Sequence, residues 1–296
     1  MDSTNTQEKI EINLDLPIWT FQKENVEEWK KQNIKHHNMR QLVSEFNIEY
    51  NKVNENPEKP LEEREKQVNE KFDLIINKMN LSDHDAFEFK DPFIRVYDNV
   101  LSDNFCDFII KKFESKKELH NMGRVNFMAN DNEDLYKKLV LPKKTTELPI
   151  HEHTDIFKDE DSYINQQLNK YFEKYLLELS MPTNNFQGII GFDDTGYQIQ
   201  KYEKNSGRYY FHDDFQIIKE MKDDNIQKLR VRTLTFLFYL NDIEDGGETL
   251  FLDCKIKPKK GRLIFFPATW NYIHAGNTPK SDDKYIITGW FLKNIE

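Results

Sequence analysis

The chain has 296 residues, of which 38% are hydrophobic and 32% charged. Its 22 Phe and 13 Tyr supply enough apolar bulk for a folded core, which excludes a disordered chain. A net charge of −10 disfavours a broad nucleic-acid-binding surface, and two cysteines without zinc-ligand spacing exclude a disulfide framework.

The N-terminal MDSTNTQEKIEINLDLP has no basic stretch followed by an apolar one, as a secretory leader needs. No apolar run reaches the ~18 residues of a membrane span. The expectation is a cytoplasmic protein that neither enters a membrane nor binds nucleic acid.

Residues 1–90 are rich in charge and contain no glycine. Val26, Trp29, Ile34, Leu42, Val43 and Phe46 are spaced for one face of a helix, which Asn56-Pro57 and Lys59-Pro60 break. A second helix is predicted over Leu61–Met79, with Val68, Phe72, Ile75, Ile76 and Met79 on one face. This helical N-terminal extension reads as a hairpin packed on the main domain or as a partner-binding arm. The sequence leaves oligomeric state open.

The texture changes at Asp91. FIRVYDNV reads as a strand, and Ser102 or Asp103 caps a helix ending near Glu114. A polar stretch follows to Ile150. A further amphipathic helix is expected over Asp161–Leu179, closed by Met181-Pro182. Short strands then follow at 186–191, 196–203, 209–215, 231–240, 248–253, 262–267, 270–275 and 284–292. The segment 216–229 is expected to be a lid or substrate loop. Gly246-Gly247 marks a hairpin turn, because glycine adopts the backbone angles such a turn requires. Short strands after a helical half predict an α+β chain with a jelly-roll-like double sheet and helices against one side.

Two strands carry a readable pleat. In TLTFLFYL, Leu234, Phe236, Phe238 and Leu240 form an apolar face suited to helices. Thr233, Thr235, Leu237 and Tyr239 form a mixed face suited to a cavity wall. In KYIITGWF, Lys284, Ile286, Thr288 and Trp290 share a face that reads as a polar pocket.

Residues 211–215 are FHDDF. A lone His-x-Asp is more often a solvated turn than a site. In a strand, however, His212 and Asp214 point the same way. His274, in WNYIHAGN, would complete a 2-His-1-carboxylate triad of the kind that holds non-haem Fe(II) and leaves open positions for a chelating 2-oxo acid. Lys284, ten residues beyond His274, offers a counter-ion for the far carboxylate of that acid, and Tyr239 a hydroxyl donor. The rival HEHTD at 151–155 has His-x-His spacing at His151 and His153 but no third ligand in context, and reads as a loop. His36, His37, His84 and His120 lie in polar stretches and read as solvated.

Over residues 91–296 the chain resembles the 2-oxoglutarate- and Fe(II)-dependent dioxygenases, in their prolyl 4-hydroxylase-like branch. YQIQKYEKNSGRYYFHDDF is similar to that family's strand–Gly–Tyr–His-x-Asp segment. RVRTLTFLFYLNDIEDGGETLF is similar to its Arg-x-x-Thr…Tyr-Leu-Asn…Gly-Gly-Glu-Thr-x-Phe pattern. KPKKGRLIFFP…HAGNTPKSDDKYIITGWF resembles its Pro-x-x-Gly strand, distal His and following Lys.

The resemblance implies a double-stranded β-helix core, cupin-like, in a catalytic domain over 91–296. It implies that His212, Asp214 and His274 bind iron. Lys284 would hold 2-oxoglutarate, helped by Tyr239 and Thr288, with Tyr202 and Tyr209 lining the co-substrate pocket and Trp290 on the iron-side wall. The co-substrates would be 2-oxoglutarate and dioxygen, with ascorbate as an accessory reductant. The reaction would hydroxylate an sp3 C–H bond, foremost of a prolyl residue in a peptide or protein. Alternatives are a hydroxylase of a free amino acid or other small molecule, and a non-enzymatic cupin-like binding protein. Asp214 speaks against the related halogenases, and the lack of arginine after His274 speaks against the nucleic-acid demethylases. Arg230 and Arg232 read as surface strand positions rather than as substrate-orienting groups.

Overall fold

The structure, a computed structural model, describes residues 23–55, 57–86, 91–123, 125, 138–179, 192–222 and 225–295. Its α-helices are α1 (Lys23–Glu55), α2 (Leu61–Met79), α3 (Asp103–Ser115) and α4 (Thr154–Glu178). None among the described residues is long and apolar enough to cross a membrane. The strands are β1 (Ser82–Asp83), β2 (Arg95–Tyr97), β3 (Asn121–Met122), β4 (Lys143–Lys144), β5 (Thr146–Pro149), β6 (Phe192–Asp194), β7 (Gln198–Tyr202) and β8 (Arg208–His212). They continue with β9 (Ile217–Lys222), β10 (Asn225–Tyr239), β11 (Thr249–Phe251), β12 (Cys254–Ile256), β13 (Leu263–Pro267), β14 (His274–Gly276) and β15 (Lys284–Asn294).

Local chemistry explains the helix boundaries. Ser102 caps α3, its hydroxyl accepting from the Phe105 N–H. Cys106, Ile109 and Phe113 then recur on the buried face. Helix α2 starts after Pro60 with Glu62 and Glu63 in its first turn, where they favour the helix dipole. It stops at Asn80, which turns left-handed at φ 46 and returns its N–H to the Ile76 carbonyl.

Among the described residues the strands form two sheets. The smaller has the order β1-β12-β11-β14-β8-β4. The larger has the order β2-β13-β10-β15-β7-β5-β3, with β6 paired to β15 and β9 paired to β10. Three apolar clusters assemble these parts into layers. One joins α3 and α4 to the outer face of the larger sheet through Leu234, Phe236, Phe238, Leu240, Phe265 and Phe291. A second lies between the sheets and includes Tyr202, Leu237, Tyr239, Phe251, Ile264, Phe266 and Ile286. The third seats α1 and α2 on the outer face of the smaller sheet, with Phe46, Phe72 and Ile75 against Tyr210, Phe211, Leu250 and Ala275. The pleat of β10 therefore divides as its sequence predicts, one face to the helices and the other to the interior.

Several boundaries depart from the sequence expectation. Helix α4 begins at Thr154 rather than Asp161, and α1 extends at both ends. Within the expected loop 216–229, residues 217–222 and 225–229 are strand: β9 pairs antiparallel with β10, Ile217 opposite Val231. Their mixture of Lys, Glu and Ile hides the pleat, and pairing between neighbouring segments supplies the order. Residues before His274 form a turn, so β14 is shorter than 270–275. Strand β12 had no counterpart in the sequence reading. The strand expected at 186–191 lies outside the described residues. Gly246-Gly247 is no hairpin turn, because β10 and β11 belong to different sheets and the segment between them crosses from one sheet to the other, yet both glycines take the backbone angles foreseen for a turn. Gly246 and Gly247 take φ of +72 and +73, and a Cβ on Gly246 would lie 2.2 Å from the Thr278 carbonyl oxygen.

Candidate active site

Strands β8 and β14 run side by side, with His212 opposite His274 and Tyr209 opposite Gly276. Three steps along β8 thus match two along β14, which is a β-bulge. The bulge sends both Tyr210 and Phe211 outward, onto α1 and α2. It turns Tyr209 and His212 inward together, their rings stacked with centroids 3.5 Å apart.

Strand β8 ends at His212, so the pleat does not aim Asp214. A hydrogen bond does: Thr235 Oγ1 donates to Asp214 Oδ2 at 2.7 Å. The ligand atoms of His212, Asp214 and His274 lie within 4.8 Å of one another, the one such group among the described residues. His212 Nδ1 is 2.7 Å from the Tyr210 carbonyl and His274 Nδ1 is 3.0 Å from that of Tyr272. Each Nδ1 therefore carries the hydrogen, and each Nε2 presents a lone pair towards Asp214. The Nε2 atoms lie 3.8 and 3.5 Å from its carboxylate oxygens.

Electrostatics favour the ligand forms. Burial, reinforced by His274, lowers His212 to about 3, so its ring is neutral at ordinary pH. Burial alone would raise Asp214, but His274, His212 and the Thr235 hydrogen bond outweigh it and hold the carboxyl below its usual range. The two imidazoles, each with Nδ1 bonded to a backbone carbonyl and Nε2 turned to the same point, and one carboxylate fit a divalent metal of the facial-triad type.

The triad opens into a cavity of about 490 Å³. Lys284, Thr288, Trp290, Tyr202 and Tyr209 all line it. Lys284 is 1% exposed. Its Nζ donates to the Gly247 carbonyl at 2.8 Å and lies 4.6 Å from the centre of the Tyr202 ring. Burial lowers its pKa to about 7, against the pull of Glu248. Thr288 spends its hydroxyl hydrogen on the Phe236 carbonyl at 2.9 Å and so can only accept from a ligand.

Tyr239 departs from expectation. It does not line the cavity, and its hydroxyl donates to Thr249 Oγ1 at 2.6 Å. Thr249 reaches the cavity instead. Arg232 is no surface residue. It lines the cavity with its guanidinium 3.6 Å from the centre of the Trp290 ring, whereas Arg230 sits near Asp193 at 3.7 Å. His151 is half exposed in a short turn leading into α4. His84 is buried rather than solvated, and His120 stacks on Phe113 at 4.1 Å.

One wall was not foreseen. Lys143 and Glu147 form a buried ion pair there. Glu147 also accepts from Thr145 Oγ1 at 2.9 Å and from the Gln198 side-chain amide. These residues lie in a polar stretch without periodicity, and only the pairing of β4 with β8 and β5 with β7 brings them to the cavity. Thr235 could have been found, since it shares the mixed face of its strand with Leu237.

Residues 197–292 match the 2OG-Fe(II) oxygenase superfamily. The matched stretch contains all three residues of the triad and Lys284. The chain carries a domain of that superfamily. The oxygenase domain is prolyl 4-hydroxylase-like, in a superfamily that works with Fe(II) and 2-oxoglutarate. The chain is 28% identical over 137 residues to a putative prolyl 4-hydroxylase of Acanthamoeba polyphaga mimivirus, covering 43% of this chain and 53% of that protein. It is 24% identical over 166 residues to prolyl 4-hydroxylase 13 of Arabidopsis thaliana, covering 48% and 53%. It thus spans about half the length of either relative. Among solved structures it is similar to the viral collagen prolyl hydroxylase of Paramecium Bursaria Chlorella virus-1, with 24% identity, a TM-score of 0.42, and coverage of 71% of this chain and 98% of that one. For a Pseudomonas putida prolyl-4-hydroxylase the values are 15%, 0.45, 68% and 92%.

Proposed function

We propose that the chain is an Fe(II)- and 2-oxoglutarate-dependent hydroxylase acting on a prolyl residue within a peptide or protein. In this proposal residues 91–296 form the catalytic double-stranded β-helix and residues 1–90 are its extension. The observation that carries the proposal is the shared cavity of the His212–Asp214–His274 triad and the buried Lys284, which among the described residues forms no ion pair. The names of the two relatives support the prolyl substrate.

His212 and His274 through Nε2, and Asp214 through its carboxylate, would hold the iron. Bound there with 2-oxoglutarate, the iron supplies the oxidising power for C–H hydroxylation. Lys284 would exchange its bond to the Gly247 carbonyl for one to the distal carboxylate of 2-oxoglutarate, in the ammonium form. Because Tyr239 donates to Thr249 Oγ1, the Thr249 hydrogen is free for the same carboxylate. Tyr239 would thus act through Thr249. Leu237, Ile286 and Phe266 add apolar lining to the cavity, Phe266 against the His274 ring. Arg232, held over the Trp290 ring, would offer its guanidinium to a substrate carbonyl beside the iron.

A second reading, a free amino acid as substrate, rests on the Lys143–Glu147 pair, which offers one charge of each sign to a zwitterion in the same cavity. The test is incubation of the full-length protein with Fe(II), 2-oxoglutarate, ascorbate and a library of proline-containing peptides. Succinate release with a product heavier by one oxygen atom is expected. Absence of any 2-oxoglutarate turnover with peptides and with free amino acids would overturn the proposal.

A further inference from the structure

The helical hairpin α1–α2 lies outside the stretch that matches the superfamily, yet it packs behind the metal-binding strands. The contact is concentrated on the bulge of β8. Phe46 of α1 lies 5.0 Å from the Tyr210 ring centre and 6.1 Å from that of Phe211. Phe72 of α2 lies 5.0 and 5.3 Å from the same two rings. The Tyr210 hydroxyl donates to Asn69 Oδ1 of α2 at 2.6 Å and accepts from Arg208 Nε at 2.8 Å. Arg208, 3% exposed, is tied in turn to Glu65 of α2 at 2.7 Å.

The bulge is where His212 gets its direction. Without the extra residue, the pleat would place His212 on the face of Tyr210, away from the cavity. Tyr210 also supplies the carbonyl that fixes the His212 tautomer. The hairpin touches the second histidine too. Ala275, next to His274, is fully buried in the same cluster, and Arg40 of α1 donates to the Asn271 carbonyl at 3.2 Å in the turn before it.

We infer that the hairpin is a working part of the metal site: Asn69 and Phe72, with Phe46, are positioning residues that hold the β8 bulge and so aim His212. The inference rests on the reading of His212, Asp214 and His274 as metal ligands. An accessory arm that merely adds stability would leave the metal affinity of the folded protein unchanged. A support for a ligand's orientation carries a cost in metal affinity of about 10–100-fold when removed.

The test uses full-length protein and Co(II), whose visible absorption reports ligand geometry. Asn69→Ala and Phe72→Leu should each weaken Co(II) binding at least about tenfold and alter its spectrum at temperatures where circular dichroism shows the chain folded. Asn69→Asp, which keeps the acceptor for Tyr210, should restore both. The control is Ile109→Ala in α3, a buried residue on the far side of the larger sheet. It should lower the melting temperature while leaving Co(II) affinity and spectrum as in the wild type. Wild-type Co(II) binding by the Asn69 and Phe72 variants, or an equal loss in the Ile109 variant, would overturn the inference while leaving the metal site standing. A wild type that binds no Co(II) would overturn the metal reading and the inference with it.

Discussion

Lys284 and Gly247 are joined by a hydrogen bond of 2.8 Å from Nζ to the carbonyl oxygen, and among the described residues no carboxylate forms an ion pair with that ammonium. Its pKa is lowered to about 7 by burial, with Glu248 opposing. An unfolded lysine holds its proton to about pH 10.4. From about pH 7 to 10.4 the unfolded chain therefore binds one more proton than the folded chain, and ligand-free stability should rise with pH through this window. Denaturant unfolding across the window should show that rise in the wild type and lose this contribution in Lys284→Met. Binding of 2-oxoglutarate needs the charged form, so above pH 7 its affinity should fall by up to about tenfold per unit, with proton uptake visible by calorimetry in buffers of different ionisation enthalpy. A flat affinity across that range would show that Lys284 does not meet the co-substrate.

Replacing the ammonium should also separate co-substrate from metal. A charge-assisted hydrogen bond is worth about 1.5–3 kcal/mol, so Lys284→Met should weaken 2-oxoglutarate binding roughly 10- to 150-fold at neutral pH or below. Metal affinity should stay within about a factor of two, since Lys284 is no ligand of the triad. Lys284→Arg should recover only part of the loss, because a planar guanidinium does not fit a site built around one Nζ. Equal losses of metal and 2-oxoglutarate in the Met variant would point to a collapsed cavity instead.

His212→Ala, Asp214→Ala and His274→Ala should each reduce Mn(II) or Co(II) affinity by more than about 100-fold, beyond the usual cost of losing a supporting group. Thr235→Val, which removes the 2.7 Å hydrogen bond to Asp214, should cost about 10–100-fold. The double change His151→Ala with His153→Ala should leave metal binding intact. Direct metal titration reads all five variants, and a loss in the His151/His153 variant without one in His274→Ala would move the site.

The pleat made much of this site legible. Period-2 alternation places Lys284, Thr288 and Trp290 on one face and Thr235 and Leu237 on another, and all five line the cavity. The same rule gives a wrong cause for Asp214, because alternation ends where β8 ends, and a side-chain hydrogen bond takes over. It fails for Tyr239, whose direction is right but whose hydroxyl stops at Thr249. It cannot register the bulge at Tyr210–Phe211, since a bulge arises from two strands and neither alone encodes it. Lys143 and Glu147 were illegible for a similar reason: they reach the cavity by crossing from one sheet to the other. The support of β8 by Asn69 and Glu65 joins residues more than 130 positions apart, with no local pattern to announce it.

The substrate-side prediction turns on Arg232. Its guanidinium faces the cavity beside Asp214, stacked on Trp290 at 3.6 Å, with burial lowering its pKa and Asp214 opposing that shift. In the proposed reaction it would donate to a peptide carbonyl beside the metal, with half-exposed Phe215 at the cavity wall as an apolar neighbour. A prolyl residue suits such a site because its fixed φ reduces the entropy lost on binding. Arg232→Ala should therefore raise the KM for a proline-containing peptide about tenfold or more, corresponding to a hydrogen bond from a charged donor, and leave 2-oxoglutarate affinity within about a factor of three. Lys143→Met with Glu147→Met, which empties the charged wall while keeping its volume, should alter peptide turnover little if the substrate enters as an extended chain. The wild type and these two variants are to be compared on peptides, free L-proline, other free amino acids and methylated single-stranded DNA, following succinate and product mass together. Turnover of a free amino acid that depends on Lys143 and Glu147, with peptides inert, would assign the enzyme to small molecules. Demethylation of the DNA would remove it from the prolyl hydroxylases.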